Sequence, residues 1–218
     1  MNMNGSRFVS SRGLVILACT LLFAACGGIS APQVISQNIY VLESDHVIQA
    51  AQSKHDLVLS VSVPRALAGF DTPQMAYVQK PHELNYFASS RWADAPARML
   101  GPLVARALEQ TESFRAVVQT SGALPADLRL DIEVVRLLQD FRTRPSRVQL
   151  TLRAQLIDVR GRKLIAKHQF DAFEIAPSDD AYGGVTAANR LVQRVLGELA
   201  EFCVEAPGVD SGYGTNNP

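Results

Sequence analysis

The sequence predicts a compact single α/β domain, a mixed β-sheet with an antiparallel meander packed by two main helices. Alternating apolar and polar residues predict the strands, and apolar residues spaced three and four apart predict the helices. The length behind the N-terminal leader fits one domain, which we assign to residues 38–205.

The N-terminus has the pattern of a signal peptide, assigned to residues 1–25. Arg7 and Arg12 are its only charges, and the apolar run at 14–25 is shorter than the roughly 20 residues of a membrane-spanning helix. Phe23-Ala24-Ala25-Cys26 resembles a bacterial lipobox, with Phe23 in place of the usual Leu. We therefore expect lipidation at Cys26; an ordinary secretory signal with a chance cysteine is the alternative.

Several acyl chains on Cys26 would make a practically permanent membrane anchor. Residue 27 is Gly and not Asp, which by analogy with other lipoproteins favours the periplasmic face of the outer membrane. Residues 26–37 are then the lipidated N-terminus and tether, and residues 206–218, which carry no apolar repeat, are predicted to be a disordered tail.

The charge and cysteine content narrow the class of protein. Without residues 1–25 the chain has 19 basic and 21 acidic residues, a balance that argues against a nucleic-acid partner. Only Cys203 remains besides Cys26, so the mature chain has no intramolecular disulfide. Its helical spacing behind Leu199 and Leu196 favours a small buried hydrophobic residue over a reactive thiol.

The first half of the domain contains short extended pieces and one helix. Apolar spacing predicts a helix from residue 97 to 110, with Asp94 as its N-cap and Pro96 in its first turn. Residues 43–55 show no clear period and are left unassigned. Strands are expected at 39–42, 57–63, 75–78, 84–88 and, after the helix, 114–118.

The second half predicts a meander followed by a long helix. Strands are expected at 128–134, 148–156 and 164–173, with a polar loop at 139–146 and a turn at Arg160-Gly161 in which Gly161 supplies a positive φ. The helix spans about 179–205, and its Gly183-Gly184 pair, which has no phosphate-loop context, is interpreted as fraying. Its buried stripe is predicted to be Tyr182, Val185, Ala188, Leu191, Val192, Val195, Leu196, Leu199 and Phe202.

Catalytic patterns are scarce, so the sequence predicts no enzyme, no metal and no cofactor. The four histidines are scattered without an HExxH pair, and no G-x-S-x-G elbow supports a serine nucleophile. Asp131 and Glu133 share one face of a strand and could resemble paired carboxylates. They fit the solvated side of that strand better.

The candidate binding residues lie at the polar loop. Arg142, Arg144 and Arg147 form a basic group that could meet lipid headgroups or an acidic partner, although a simple solvated loop has the same composition. Phe141 beside them is either a local plug or a contact residue.

Several short motifs, in this order, resemble the ABC-type transport auxiliary lipoproteins of the paraquat-inducible protein C kind. Besides the lipobox, they include Tyr40-Val41-Leu42 and the Ser-Val-Pro at 62–64, and the resemblance covers most of the mature chain. Phe23 and the insertion-like stretch 43–55 depart from the family pattern. The matching residues in the centre are Tyr86, Phe87, Trp92, Ala93, Pro96, Phe114 and Val117.

The resemblance implies a function in lipid transport. Such a protein is the outer-membrane component of a system with an MCE (mammalian cell entry) domain protein and an inner-membrane ATPase, which moves phospholipids or other hydrophobic molecules between membranes. Ring-like self-association is a further expectation by family analogy. We expect Trp92 and Tyr86 to anchor the first helix against the sheet, since their rings bury large areas.

Two other classes of function remain open. An envelope-structural or outer-membrane assembly lipoprotein would bind a β-barrel or peptidoglycan. A periplasmic enzyme ranks last, because it needs a polar cleft with perturbed carboxylates or a metal, and the sequence supplies no such set.

Overall fold

A computed structural model describes residues 36–45, 47–119 and 125–206. The predicted signal peptide, Cys26, the tether before residue 36 and the tail after Ala206 lie outside the described residues.

The predicted fold class is confirmed: the described residues form a mixed sheet of nine strands and two helices. Several predicted strands have different limits, and the two-residue β3 had no sequence prediction. In chain order the elements are β1 Asn38–Tyr40, β2 His55–Val61, β3 Arg65–Ala66, β4 Gln74–Val78, β5 Asn85–Trp92, α1 Pro96–Gln110, β6 Phe114–Gln119, β7 Leu128–Asp140, β8 Arg147–Asp158, β9 Lys163–Ile175 and α2 Ala181–Glu205.

β7 is the central strand of the sheet. Along one edge it pairs antiparallel with β8, and β8 pairs antiparallel with β9, which gives the predicted meander. Along its other edge β7 pairs in parallel with β2, β3 and β4 in turn. β6 adds beyond β2, while β5 and β1 add beyond β4. β7 therefore joins the two groups of strands from the first half, β2 with β6 and β4 with β5 and β1, into one sheet.

A β-bulge changes which side chains of β7 face the core. Before it, Leu130, Ile132 and Val134 are buried in the core, and the pairing shifts between Val134 and Arg136. After it, Leu137 pairs with Leu150 and is buried. The predicted loop at 139–146 is therefore wrong at its start, because the inserted residue shifts the alternation and β7 continues to pair with β8 as far as Asp140. Its predicted end at residue 146 is confirmed, since β8 begins at Arg147.

The two helices bury their apolar faces in one core with the sheet. α1 packs on β6 and β7 through residues such as Leu100, Val104 and Leu108, and α2 packs on β8 and β9. The predicted stripe of α2 is buried or partly buried except for Tyr182, which is 66% exposed. Tyr182 lies in the first turn of α2, on its exposed side.

The start of α1 differs from the prediction. Ala95, not Asp94, is the N-cap, and no side chain caps the helix, while Pro96 does open it. The Asp94 carboxylate accepts from the Ala95 backbone N–H and from Arg98. Trp92 ends β5 and is buried in the common core, where it lines a small cavity together with Ala188 of α2. The Tyr86 hydroxyl instead donates to the Gly69 carbonyl at 2.9 Å, so Tyr86 stabilises the turn that contains Gly69.

The unassigned stretch 43–55 precedes and enters β2 and is attached to both helices. The Glu43 N–H donates to Asn189 of α2, and the Ile48 N–H donates to Gln110 of α1. Ile48 and Ala51 are partly buried against the core. Tertiary contacts, not a periodic pattern, fix this segment.

Both predictions about glycine are corrected. In the turn after β8 the positive φ belongs to Arg162, at 51°, and not to Gly161. Gly161 packs closely in another way: its N–H donates to Asp158, and a Cβ there would come within 2.5 Å of the Asp158 carboxylate, so that side chain would have to move.

The Gly183-Gly184 pair is not frayed. Both glycines are buried, and the Asp180 side chain caps α2 by accepting from the Gly183 N–H at 2.7 Å. A Cβ on Gly183 would overlap the backbone carbonyl of Ser178, and one on Gly184 would overlap the Gln139 amide. Close packing at the N-terminus of α2 therefore requires both glycines.

The two glycine environments of α2 give a matched test. Gly183→Ala should lower the free energy of unfolding by about 1–3 kcal/mol, because the new methyl group displaces the Ser178 backbone. Gly197→Ala, where a Cβ meets no atom within 4 Å, should raise it by up to about 1 kcal/mol through helix propensity. Urea unfolding of both variants measures this; equal effects would contradict the close packing at Gly183.

Candidate functional site

The candidate residues lie at the junction of β7 and β8. Phe141, Arg142 and Arg144 belong to the loop at 141–146, while Arg147 is in β8. The structure therefore brings the four together around one end of the central strand pair, although they do not form a single basic loop.

Asp140 is the residue that organises this junction, and sequence reasoning missed it. Its carboxylate is fully buried and accepts from Arg142 Nε and Nη2, each at 2.8 Å, from the Arg142 backbone N–H at 3.0 Å and from Gln149 Nε2 at 3.0 Å. Arg147 Nη2 lies 3.6 Å away. The hydrogen bonds from Arg142, helped by the charge of Arg147, hold the pKa of Asp140 below its usual range.

Two of the three predicted basic side chains are therefore partly neutralised. Arg142 and Arg147 both pair with Asp140. The Arg147 guanidinium also lies 5.4 Å from the ring centroid of exposed Phe173 on β9. These arginines position the end of the sheet.

Phe141 has the contacts of a local plug. It is half-buried, and its ring centroid lies 5.8 Å from that of Tyr77 and 6.2 Å from that of Phe87. Its N–H donates to the Val78 carbonyl at 2.9 Å. Edge-to-face packing of these rings fixes the loop against β4 and β5.

The other end of the loop is tied to the start of α2. The Ser146 N–H donates to Asp179 at 2.7 Å, and Gln139 Nε2 donates to Ser146 Oγ and to the Asp180 carbonyl. The hydrogen bonds from Ser146 hold the pKa of Asp179 below its usual range, with a smaller contribution from the charge of Arg144. Between these fixed ends Arg144 is exposed, so it is the member of the predicted set best placed to meet a partner.

The other sequence candidates have structural roles. Asp131 pairs with Arg129, and Glu133 pairs with Arg153, so the prediction that both acids belong to a solvated strand face is confirmed. Cys203 is buried, as predicted, and burial raises its pKa to about 12, which keeps the thiol protonated.

Among the residues that the structure describes, no group of three or more His, Cys, Asp or Glu side chains could hold a metal ion. None of the helices in these ranges combines the length and apolarity needed to cross a bilayer.

The Asp140 cluster predicts a pH-dependent contribution to stability. Asp140→Asn should cost about 1–3 kcal/mol at pH 7, since it weakens charge-assisted hydrogen bonds to Arg142. Because the pKa of Asp140 is lowered in the folded state, this contribution is complete above the unfolded pKa of about 4 and is lost as the pH falls through the folded value. The difference between wild type and variant should therefore shrink in acid.

Thermal melts between pH 3 and 7 would measure this difference. Asp56→Asn is the matched control, because Asp56 also pairs with an arginine but is exposed, and it should change stability by less than about 1 kcal/mol. A cost for Asp140→Asn that stays constant down to pH 3 would contradict the assignment.

Comparisons with known proteins address the family. The chain is similar to protein XCC0632 from Xanthomonas campestris, with a TM-score of 0.70 and 23% identity over 77% of this chain and 95% of that one. A crystal structure of an uncharacterized protein matches with a TM-score of 0.61 and 14% identity, over 77% of this chain and 99% of the other. At these identities the likeness shows the fold. A search of curated proteins finds no match.

The family model described as ABC-type transport auxiliary lipoprotein component matches residues 40–200. This range runs from the end of β1 through most of α2 and so takes in nearly the whole folded domain. The matched range includes the β7–β8 junction and Trp92. The family is a class of transport auxiliary components and not a known class of enzyme. The chain therefore belongs to the family of ABC-type transport auxiliary lipoprotein components.

Proposed function

We propose that this protein is anchored to the periplasmic face of the outer membrane by lipid on Cys26 and serves an MCE-type ABC transport system. In this role it is not an enzyme: it docks on the MCE-domain protein while that system moves phospholipid or other hydrophobic molecules between membranes. The family match over residues 40–200 carries the proposal, and the lipobox-like Phe23-Ala24-Ala25-Cys26 supports the anchor.

The β7–β8 junction is the proposed partner-binding site. Its loop is fixed at one end by Phe141 and at the other by Ser146, so an exposed group between them has a defined position. Arg142 and Arg147 already share Asp140, which leaves Arg144 to supply the outward positive charge. A rigid loop with one projecting arginine suits an acidic partner surface, because little conformational entropy is lost on binding.

The anchor is tested first. Cys26→Ser should give an unprocessed or soluble protein, because the acyl chains are lost. Detergent-phase partitioning and mass spectrometry of the processed N-terminus would measure it. Cys203→Ser serves as the control, since Cys203 is buried in the fold and should not affect partitioning. Normal partitioning of the Cys26 variant would remove the lipoprotein part of the proposal.

The docking site is tested by charge reversal. Arg144→Glu should weaken capture of the MCE-domain protein about tenfold, because an attractive charge contact becomes repulsive. Its melting temperature should stay near that of the wild type, since Arg144 is exposed. Arg106→Glu, an exposed arginine on α1, is the matched control and should bind normally.

Crosslinking in cells identifies the partner without assuming it. A photo-crosslinker at Arg144 should capture the MCE-domain protein, and it avoids disturbing the Phe141 aromatic contacts. Recovery of only a β-barrel protein or peptidoglycan from this position would instead favour the envelope-structural or assembly function. Equal binding by Arg144→Glu and Arg106→Glu would remove the loop from the interface.

A further inference from the structure

Three large apolar side chains are exposed together near the point where the described chain begins. We call this surface, formed by Ile39 of β1, Val41 directly after it and Tyr182 of α2, the exit surface. The three residues are 63%, 43% and 66% exposed and line one open groove. Exposed apolar residues that cluster in this way indicate an interaction site more strongly than scattered ones do.

The exit surface is held in place by the fold. Asn189 of α2 accepts from the Glu43 N–H at 2.8 Å and donates to the Val41 carbonyl at 3.4 Å. The rings of Tyr40 and Tyr182 lie 6.4 Å apart, and the Tyr40 carbonyl accepts from the Ala93 N–H at 2.7 Å. These contacts join the β1 segment to α2, so the three apolar side chains keep a fixed relative position.

We infer that the exit surface rests on the phospholipid surface of the membrane that holds the anchor. The inference depends on the proposed lipidation of Cys26. Ile39 follows Cys26 by 13 positions, a separation that spans at most roughly 47 Å when fully extended. The anchor therefore keeps this surface at a high effective concentration near the bilayer, and weak apolar contacts are enough to orient the domain.

The chemistry of the surface fits the interfacial region of a bilayer. Tyrosine is favoured there because its ring is apolar and its hydroxyl remains hydrated. Glu43 and Arg190 border the groove with opposite charges, so it is not a polybasic site. Contact should then depend on apolar insertion and only weakly on salt or on anionic lipid.

The area argues against a second copy of this chain or a protein partner as the occupant. Three partly exposed side chains bury on the order of 300 Å², whereas each side of a stable protein interface buries about 800 Å². A tethered domain needs no such area to contact the bilayer, because the anchor has already met the entropic cost of association.

The test uses the full lipidated protein reconstituted in vesicles of phosphatidylethanolamine and phosphatidylglycerol. Tyr182→Cys carries an environment-sensitive fluorophore, and a fraction of the vesicle lipids carries a nitroxide quencher on the acyl chain. Cys203 is buried and its pKa is raised, so it resists labelling. Val63→Cys is the matched control, because Val63 is 64% exposed and lies outside the exit surface.

Quenching at position 182 should exceed that at position 63 by about threefold and should change little with salt. Adding Ile39→Ser and Val41→Ser should reduce quenching at 182 towards the control value. Equal quenching at 182 and 63 in anchored protein would overturn this inference alone. Self-quenching that rises with protein density, without nitroxide, would identify a second copy as the occupant and also overturn it. Protein that fails to enter vesicles would overturn both this inference and the proposed anchor.

Discussion

The pairing of both edges of β7 is the constraint on which the rest of the structure depends. One edge carries β8 along its length, and the other carries β2, β3 and β4 in sequence, each through only two or three residue pairs. β2 also pairs with β6, and β4 also pairs with β5, so each of these groups joins the rest of the sheet through β7 and through the core face formed with both helices. Because β2, β3 and β4 precede β7 by many residues, their pairings with β7 are non-local contacts, which favour slow folding.

Periodicity predicted the parts of the fold in which apolar and polar residues recur at regular spacing. Regular alternation predicted β8 and the first part of β7, where inward residues such as Leu130, Ile132 and Val134 are buried in succession. Helical spacing predicted the stripe of α2, in which only Tyr182 is exposed. The extension of β7 could not be predicted, because the bulge at Val135 reverses the alternation and makes Leu137 and Leu138 look like a break. β3 and the stretch before β2 are fixed by partners distant in sequence, so the local sequence pattern cannot predict their structure.

The candidate site was only partly predictable for a similar reason. The sequence located Phe141, Arg142, Arg144 and Arg147 but could not tell how their charge is balanced, since that depends on Asp140 being buried beside Arg142 and Arg147. Asp140 lies two residues before Arg142, and this short acid-to-arginine spacing was the available signal. The requirement for Gly183 and Gly184 depends on the loop before α2 and on Gln139, so composition alone suggested the opposite interpretation.

The way β9 is protected disfavours association by strand addition relative to docking at a loop. β9 is an edge strand of 13 residues, long enough to pair with another chain. Arg194 of α2 reaches it, donating from Nη2 to the Phe173 carbonyl at 2.7 Å and pairing with Glu174. Lys163 and Lys167 add charge along the other half, where the pairing with β8 also shifts. An added strand would have to displace Arg194 and desolvate these lysines, whereas a partner at Arg144 displaces nothing that holds the sheet together.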